Sequence, residues 1–248
     1  MSARSLLVRG MLVGVVAGLL AVVFGRLFGE PPIDAAIAYE YAHTPAGDSE
    51  PELVSRTVQS TLGLGVAVVV YGAALGGIFA LAFAFVYGRL GRFGARATSV
   101  LVAAVGYGAM FVVPFLKYPA SPPSVGNGET IGRRTALYFL MIVICVAAAI
   151  GAVLVGRSLR PRLGAWNAAL VALGAFVAVV GVAAAVLPPI DEVPADFSAT
   201  VLWRFRLASL GTQLVLWTTF GLLFGALTER ALRRAAQRHQ VAGTASVG

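Results

Sequence analysis

Six long runs of apolar residues constrain this chain more than any other feature. They cover residues 6–28, 62–87, 97–116, 136–155, 166–187 and 203–227. A helix needs about 20 mostly apolar residues to cross the hydrocarbon core of a bilayer, and each run is about that long. Because backbone polar groups in lipid must be paired within the structure, the runs favour helices over alternating strands. We therefore predict an all-α integral membrane protein with six transmembrane helices.

The composition agrees with this class. Hydrophobic residues make up 58% of the 248 residues, charged residues only 12%, and the mean hydropathy is +0.85. A soluble domain of this length carries about twice as much charge on its surface. The first run has the basic start of a signal peptide, but it is longer than a signal core and lacks an A-x-A-like cleavage site, so we expect a retained helix. The single cysteine, Cys145, excludes an intramolecular disulfide and a CxxC metal clip.

The charged residues divide between the two ends of the six runs. With six spans, 12 of the 19 basic residues share one side: Arg4, Arg9, Arg89, Arg92, Arg96, Arg157, Arg160, Arg162, Arg230, Arg233, Arg234 and Arg238. Ten of the 11 acidic residues share the other: Glu30, Asp34, Glu40, Asp48, Glu50, Glu52, Glu129, Asp191, Glu192 and Asp196. The positive-inside rule then places both termini in the cytoplasm and three αα-hairpins facing outward.

Because the basic residues are concentrated on one predicted side of the membrane, the net charge of +8 reflects the topology of the chain. It therefore argues against nucleic-acid binding. We predict one six-span domain over residues 1–230 and a basic, disordered cytoplasmic tail over 231–248. The expected location is the inner (cytoplasmic) membrane.

The tetrapeptide Pro-Pro-Ile-Asp occurs twice, at residues 31–34 and 188–191, each time after an apolar run. All three long connections combine a proline pair, polar residues and an arginine near the start of the next helix. In one interpretation the prolines end helices and the arginines reach the membrane interface. In the other, three hairpins are an internal repeat that gathers the three connections around one axis. The sequence leaves both open.

Carboxylates and one histidine on the predicted outer side are candidate metal ligands. A helix that begins at the first proline pair would place Glu40 and His43 on one face, at i, i+3 spacing. Carboxylate and imidazole together suit Co, Ni, Zn, Fe or Mn. A solvated acidic loop, or an acidic vestibule that concentrates divalent cations without fixed ligands, explains the same residues. The candidate set is Glu30, Asp34, Glu40, His43, Asp191 and Glu192.

Polar residues within or beside the apolar runs are candidates for a transport path or a helix interface. Arg26 precedes Glu30 by four residues, and pairing would lower the cost of an arginine at that depth. Ser209 and Gln213 share a helix face, directed either at a neighbouring helix or at a pore. Lys117 and Tyr118 fit an interfacial anchor. The complete set is Arg26, Lys117, Tyr118, Arg204, Arg206, Ser209 and Gln213.

Other patterns restrict the function. Glycines at four-residue spacing, at 10, 14 and 18 and again at 72 and 76, permit close helix packing. No Walker motif, HExxH or nucleophile elbow occurs, so we do not expect an enzyme. No acidic residue lies deep within a run, which disfavours a proton relay or an ion pump.

Four stretches resemble the CbtA family of predicted cobalt transporter subunits across nearly the whole chain. They are LLVRGMLVGVVAGLLAVVFGRLFGEPPIDAAIAYE, LVSRTVQSTLGL, VPFLKYPASPPSVGNGETIGRRTALYFLM and VLWRFRLASLGTQLVLW. The resemblance implies a multi-pass inner-membrane protein in cobalt uptake, often linked to cobalamin synthesis. It also implies a small single-span companion, CbtB, with a histidine-rich end, which would complement the few metal ligands here.

The expected function is therefore a subunit of a transporter for Co²⁺ or a similar divalent cation, with acidic outer connections collecting the cation. No permanently bound cofactor is expected, and Co²⁺ is expected to be the transported ion. The sequence leaves open whether the chain forms a homo-oligomer. The alternative function is a non-catalytic membrane scaffold for a small partner protein, favoured by the glycine-rich helix faces and the lack of buried acids.

Overall fold

The computed structural model describes residues 2–43, 55–89, 91, 93–123, 125–126 and 128–245, with the backbone alone at 239 and 241–245. Every regular element in these ranges is helical. Five helices are long and apolar enough to cross a membrane: α1 (Ala3–His43), α2 (Arg56–Val86), α3 (Ala95–Lys117), α4 (Gly128–Val186) and α5 (Ala199–Arg238). The predicted all-α class, compatible with a membrane, is confirmed. Asp48, Glu50, Glu52 and Arg92, which contribute to the charge pattern, lie outside the described residues.

Four of the five helices contain a π-helical turn. These turns are Gly25–Gly29 in α1, Gln59–Gly63 in α2, Gly108–Val112 in α3 and Phe220–Phe224 in α5. The α-helical parts are Ala3–Phe24, Glu30–His43, Arg56–Val58, Leu64–Val86, Ala95–Tyr107, Val113–Lys117, Ile131–Val186, Ala199–Thr219 and Gly225–Ala245. α4 begins with a 3-10 turn, Gly128–Thr130.

Large apolar side chains are exposed along all five helices. Phe85, Leu116 and Val186 expose 71%, 77% and 77% of their surface, for example. Soluble monomers rarely expose contiguous apolar patches of this kind, whereas contact with lipid chains costs nothing for such side chains. The exposed faces therefore agree with a chain surrounded by lipid.

The interpretation in which the first proline pair ends a helix is wrong, whereas the helix expected to begin at this pair is present as Glu30–His43. α1 continues through Pro31 and Pro32 to His43. The π-helical turn Gly25–Gly29 ends immediately before Glu30, where a new α-helical register begins. Both prolines thus lie in a first turn, where a missing backbone N–H costs least.

The second proline pair has the predicted effect. The last helical residue of α4 is Val186, Leu187 is the C-cap in extended conformation, and Pro188 and Pro189 are not helical. The same tetrapeptide therefore continues one helix and follows the end of another.

Helix α4 holds the fourth and fifth predicted spans, 136–155 and 166–187. Gly164 interrupts it with non-helical dihedral angles, φ 74° and ψ 169°. A Cβ atom at Gly156 would lie 3.2 Å from Cβ of Ala172 and 3.6 Å from the carbonyl oxygen of Ala168. In an uninterrupted helix, residues 156 and 172 would be about 24 Å apart. The chain therefore reverses direction at Gly164, which has the positive φ that a left-handed position requires.

Contacts divide the chain into two compact units rather than one. Unit 1 combines the first part of α1, α2, the first part of α3 and the last part of α5, within residues 1–30, 50–104 and 211–248. Unit 2 combines the end of α1 with the segment from the second half of α3 to the middle of α5, within residues 31–49 and 105–210. Helical structure continues to Ala245, so most of the expected disordered tail is helical.

In unit 1, the glycines of α1 pack against those of α2. A Cβ atom at Gly10 would overlap the carbonyl oxygen of Gly76, and one at Gly14 would overlap that of Gly72. At Gly18 it would lie 2.8 Å from Cα of Val69. The glycines thus allow the two backbones to touch, as their spacing predicts.

Aromatic side chains fill the rest of the unit 1 core. The ring centroid of Phe79 lies 5.3 Å from that of Phe220 and 5.4 Å from that of Phe224, and Phe83 lies 5.1 Å from Phe224. The buried hydroxyl of Ser99 donates to the carbonyl oxygen of Phe220 at 3.3 Å. This bond satisfies a polar group that would be costly unpaired in a lipid-surrounded core.

In unit 2, one buried cluster contains Ala109, Tyr118, Met141 and Cys145. Cys145 is fully buried and serves as the small apolar core residue that its surroundings in the sequence predict.

Candidate functional site

The three long connections contribute to one buried cluster in unit 2. Ala36 of α1, Val125 of the second connection and Phe197 of the third form it, at 0%, 5% and 7% exposure. Tyr39 and Val193 pack against these residues. Segments distant in the chain, each carrying a proline pair, therefore meet around a shared apolar centre. This is the gathering that the repeat interpretation predicts.

The side chains of His43 and Asp196 are in contact beside this cluster. Nε2 of His43 lies 3.2 Å from Oδ2 of Asp196, and Nδ1 lies 2.8 Å from the carbonyl oxygen of Tyr39. Both ring nitrogens of His43 thus face oxygen atoms of the protein. A cation that binds either nitrogen has to displace or share one of these contacts.

Tyr39 connects to the same carboxylate. Its hydroxyl donates to Oδ1 of Asp196 at 2.8 Å, and its ring packs edge-on against Phe197. This hydrogen bond, helped by a bond from the backbone of Asp196 and by the charge of His43, lowers the pKa of Asp196 below its ordinary value of 3.8. Desolvation and the hydrogen bond to Asp196 raise the pKa of Tyr39. The carboxylate is therefore held in its charged form as part of a structural link.

Glu30 pairs with an arginine of α2 in unit 1. Nη2 of Arg56 lies 2.5 Å from Oε2 of Glu30, which is only 8% exposed. The expected pairing of Arg26 with Glu30 is wrong. Arg26 instead donates to the carbonyl oxygen of Ser60 at 2.8 Å, because α2 brings that carbonyl and Arg56 alongside the C-terminal end of the first run. Glu30 is thus neutralised within the fold.

A cavity of about 330 Å³ lies in unit 2 between the second and third connections. We call it the Tyr118 cavity. Its wall includes Tyr118 to Ser121 from the KYPAS segment and Ile190 to Val193 from the second Pro-Pro-Ile-Asp segment. Arg134 and Arg206 also reach it, beside an aromatic side formed by Phe111, Phe115 and Tyr138.

Hydrogen bonds hold the wall of the Tyr118 cavity. The hydroxyl of Tyr118 donates to the carbonyl oxygen of Pro188 at 2.9 Å, which joins the two connections. Burial raises the pKa of Tyr118, although the charge of Arg133 opposes this shift. The Tyr118 hydroxyl therefore stays protonated and can donate a hydrogen bond. Nε of Arg206 donates to the carbonyl oxygen of Ala120 at 3.3 Å. Tyr118 and Arg206, both predicted from sequence, therefore shape this wall.

The two acids of the third connection that line the cavity have different surroundings. Glu192 accepts a hydrogen bond from the hydroxyl of Thr130 at 2.8 Å and pairs with Nε of Arg134 at 3.3 Å. Asp191 is exposed and has no ion pair or hydrogen bond within the described part of the chain. Asp191 is thus the carboxylate of this wall that is open to a ligand.

The remaining predicted residues do not join this wall. Nζ of Lys117 lies 5.8 Å from the ring centroid of Tyr118, and Arg204 is exposed. The hydroxyl of Ser209 donates to the carbonyl oxygen of Phe205 in its own helix, at 2.9 Å. Gln213 forms a side-chain hydrogen bond with Tyr71. Asp34 and Glu40 are exposed and each interacts with another group.

The described residues contain no metal site built by this chain alone. Within residues 2–43, 55–89, 91, 93–123, 125–126 and 128–245, no group of three or more His, Cys, Asp or Glu side chains is arranged to hold a metal ion. Glu30, His43 and Glu192, from the predicted ligand set, each have a partner of this chain. The predicted ligands therefore do not form one coordination shell in these ranges.

Sequence reasoning missed four residues of this region: Tyr39, Thr130, Arg134 and Asp196. Tyr39 precedes His43 by one helical turn, a spacing that signals contact. Arg134 belongs to the arginines that follow each long connection. The pairing of Asp196 with His43 has no local signal, because the two residues are far apart in the chain.

The fold and these sites define the class. This is an all-helical protein with apolar helices that fit a membrane and a polar, partly charged cavity among its long connections. The family model described as "Probable cobalt transporter subunit (CbtA)" matches residues 3–229, and the chain belongs to this family. Comparison with curated proteins gave no match, and neither did comparison with solved structures.

Proposed function

We propose that this chain is the membrane-spanning subunit of a transporter for cobalt or a chemically similar divalent cation. Membership of the CbtA family over residues 3–229 carries the proposal. We further propose six crossings of the inner membrane, with α4 crossing twice on either side of Gly164 and both termini in the cytoplasm. The reversal at Gly164 and the division of charges support this arrangement.

The cation reaches the transporter from the acidic side. Ten of the 11 carboxylates belong to the connections on that side, and their combined field raises the local concentration of divalent cations. Among the predicted ligands, Asp34 and Glu40 act mainly through this field, whereas Glu30, His43 and Glu192 are held in pairs with groups of the protein. Asp191 is the carboxylate that the cation approaches most closely, because it lines the Tyr118 cavity and is open there.

Cation binding at this cavity is weak because its positive and negative charges balance. Arg134 and Arg206 line the same space as Asp191 and Glu192, so the formal charges of the wall cancel. A transport site must bind its ion strongly enough to admit it and weakly enough to release it. A nearly neutral wall with one open carboxylate satisfies this requirement better than a complete coordination shell.

A partner supplies further ligands in this proposal. Cobalt favours several nitrogen or oxygen ligands, and the described residues do not provide three together. The word subunit in the family description implies at least one other chain. A small single-span protein with a histidine-rich end has the missing imidazoles.

Cobalt uptake by cells that express the chain with its partner tests the proposal. One negative charge about 5 Å from a divalent cation in water contributes roughly 1.7 kcal/mol, or about one order of magnitude in affinity. Asp191→Asn should therefore raise the half-saturating cobalt concentration about tenfold and leave the maximal rate unchanged. Asp191→Glu, which keeps the charge, is the matched control.

A non-catalytic scaffold is the second candidate. The glycine contacts between α1 and α2 and the paired carboxylates describe a tightly packed helix assembly that positions a partner. A scaffold predicts that uptake needs the chain but does not respond to Asp191→Asn at any cobalt concentration.

A further inference from the structure

A second cavity, of about 740 Å³, lies in unit 1 between the start of α1 and the last part of α5. We call it the Arg4 cavity. Four arginines line it, Arg4 and Arg9 from α1 and Arg230 and Arg234 from α5. They are 4 of the 12 basic residues on the predicted cytoplasmic side, but here two helices bring them to one space.

The charge of this cavity is not neutralised by the described part of the chain. Arg9 donates to the hydroxyl of Thr228 at 3.3 Å, and that group carries no charge. Within the described residues, Arg4, Arg230 and Arg234 have no ion pair or hydrogen bond. Glu229 is adjacent in sequence, but it bonds to Arg96 at 2.8 Å and also to Arg233.

Four like charges around one space repel each other, and a bound anion relieves that repulsion. Guanidinium groups also match the oxygens of a phosphate, because each donates two parallel hydrogen bonds. The electrostatics alone therefore point to a phosphate or a similar anion at this end of the cavity.

The rest of the lining is aliphatic. It includes Leu12 and Val16 of α1 and Leu223 and Leu227 of α5. From Arg4 to Val16 the helix rises about 18 Å, which is close to the thickness of one leaflet's hydrocarbon, about 15 Å. An inorganic anion has no use for this apolar wall, whereas an acyl chain fills it.

We propose that the Arg4 cavity binds an anionic phospholipid, with the phosphate between the arginines and an acyl chain along the aliphatic walls of α1 and α5. The lipid joins the first and last long helices of unit 1 at their basic ends. Basic pockets between membrane helices recognise anionic headgroups in this way. The proposal does not depend on the transported ion.

Native mass spectrometry of the full chain, purified in neutral detergent, tests the site. Phosphatidylglycerol and phosphatidylcholine of the same acyl length are added in turn, and we expect tighter binding of phosphatidylglycerol. The triple variant Arg4→Gln, Arg230→Gln, Arg234→Gln should bind phosphatidylglycerol about a hundredfold more weakly, given the contribution of each basic residue near a charged headgroup. Added salt should weaken binding to the wild type more than to this variant.

A matched triple variant, Arg157→Gln, Arg160→Gln, Arg162→Gln, loses the same charge on the same predicted side but outside the cavity. It should keep the wild-type affinity within about threefold. Equal losses in both triple variants, or equal binding of the two lipids by the wild type, would overturn the proposal. Displacement of phosphatidylglycerol by inorganic phosphate at equal concentration would show a simple anion site and overturn the lipid assignment.

Folding of the glutamine variant is checked by its thermal melting. If it fails to fold, the lysine variant Arg4→Lys, Arg230→Lys, Arg234→Lys decides, because lysine keeps the charge but not the paired hydrogen bonds. It should retain the preference for phosphatidylglycerol over phosphatidylcholine. Loss of that preference in the folded lysine variant, while the wild type keeps it, would contradict recognition of the headgroup by charge at these three positions.

Discussion

Replacing Gly14 with alanine perturbs the closest helix contact in unit 1. The new Cβ atom would overlap the carbonyl oxygen of Gly72, and it would lie 2.8 Å from the carbonyl carbon of Gly72 and 2.9 Å from Cα of Ala73. All three are backbone atoms, so no side-chain rotation relieves the overlap. α1 and α2 have to move apart along the whole glycine stripe.

The magnitude follows from two opposing effects. Inserting a methyl group into a closely packed interface costs about 1–3 kcal/mol, and the rigid backbone neighbours favour the upper end. Alanine also has a helix propensity about 1 kcal/mol better than glycine. The expected net loss is therefore about 2 kcal/mol in the free energy of unfolding.

Reversible unfolding in mixed detergent micelles measures this loss, and Gly65→Ala in α2 is the control. A Cβ atom at Gly65 meets no other atom within 4 Å. This control keeps only the propensity effect, so it should gain up to about 1 kcal/mol. If Gly14→Ala proves as stable as Gly65→Ala, the backbone contact between α1 and α2 is refuted.

Two further predictions concern the paired carboxylates. Arg56→Gln should destabilise the protein by about 3 kcal/mol, because it leaves the buried Glu30 carboxylate without its cation. Adding Glu30→Gln should recover at least half of that loss, and a double variant no better than Arg56→Gln argues against the pair. Tyr39→Phe should raise the pKa of Asp196, since the hydroxyl is the largest cause of its lowering. A carboxyl group whose pKa is lower in the folded than in the unfolded protein stabilises the fold at a pH above the unfolded pKa. This stabilisation is lost as the pH falls through the folded pKa. Tyr39→Phe should therefore lose this contribution at a higher pH, between the lowered value and 3.8, and a carboxyl titration by NMR unchanged from wild type contradicts it.

The apolar runs predicted the helices well because lipid leaves a backbone few alternatives. All six runs lie in the five long helices to within one residue, because 136–155 and 166–187 share α4. The short link between those two runs is rich in arginine and also contains Pro161. It stays helical except at Gly164, the residue best suited to a positive φ.

The two Pro-Pro-Ile-Asp segments show what local sequence does not determine. Proline removes one donor wherever it stands, but the cost depends on the preceding turn. After the π-helical turn Gly25–Gly29 the prolines occupy a first turn and the helix continues, whereas Pro188 follows a helix that has already ended. A change of helical register is set by several neighbouring residues and has no simple sequence signal.

The distribution of charges in the sequence predicts which connections share one side of the membrane, but it does not predict the ion pairs. The count of acids predicts which connections face outward, and Asp191 and Glu192 of one of these connections line the Tyr118 cavity. Which carboxylates are neutralised depends on residues far apart in the chain, such as Arg56 for Glu30 and His43 for Asp196. These tertiary pairings decide which carboxylate is open, and sequence spacing does not contain them.

The most direct test of the central claim measures cobalt uptake over a range of concentrations in cells that carry wild type, Asp191→Asn or Asp191→Glu with the partner subunit. Membrane insertion of all three is checked in parallel. We predict that Asp191→Asn needs about ten times more cobalt for half-maximal uptake, that its maximal rate is unchanged, and that Asp191→Glu matches wild type. Identical concentration curves for all three correctly inserted proteins would contradict a cation path through the Tyr118 cavity.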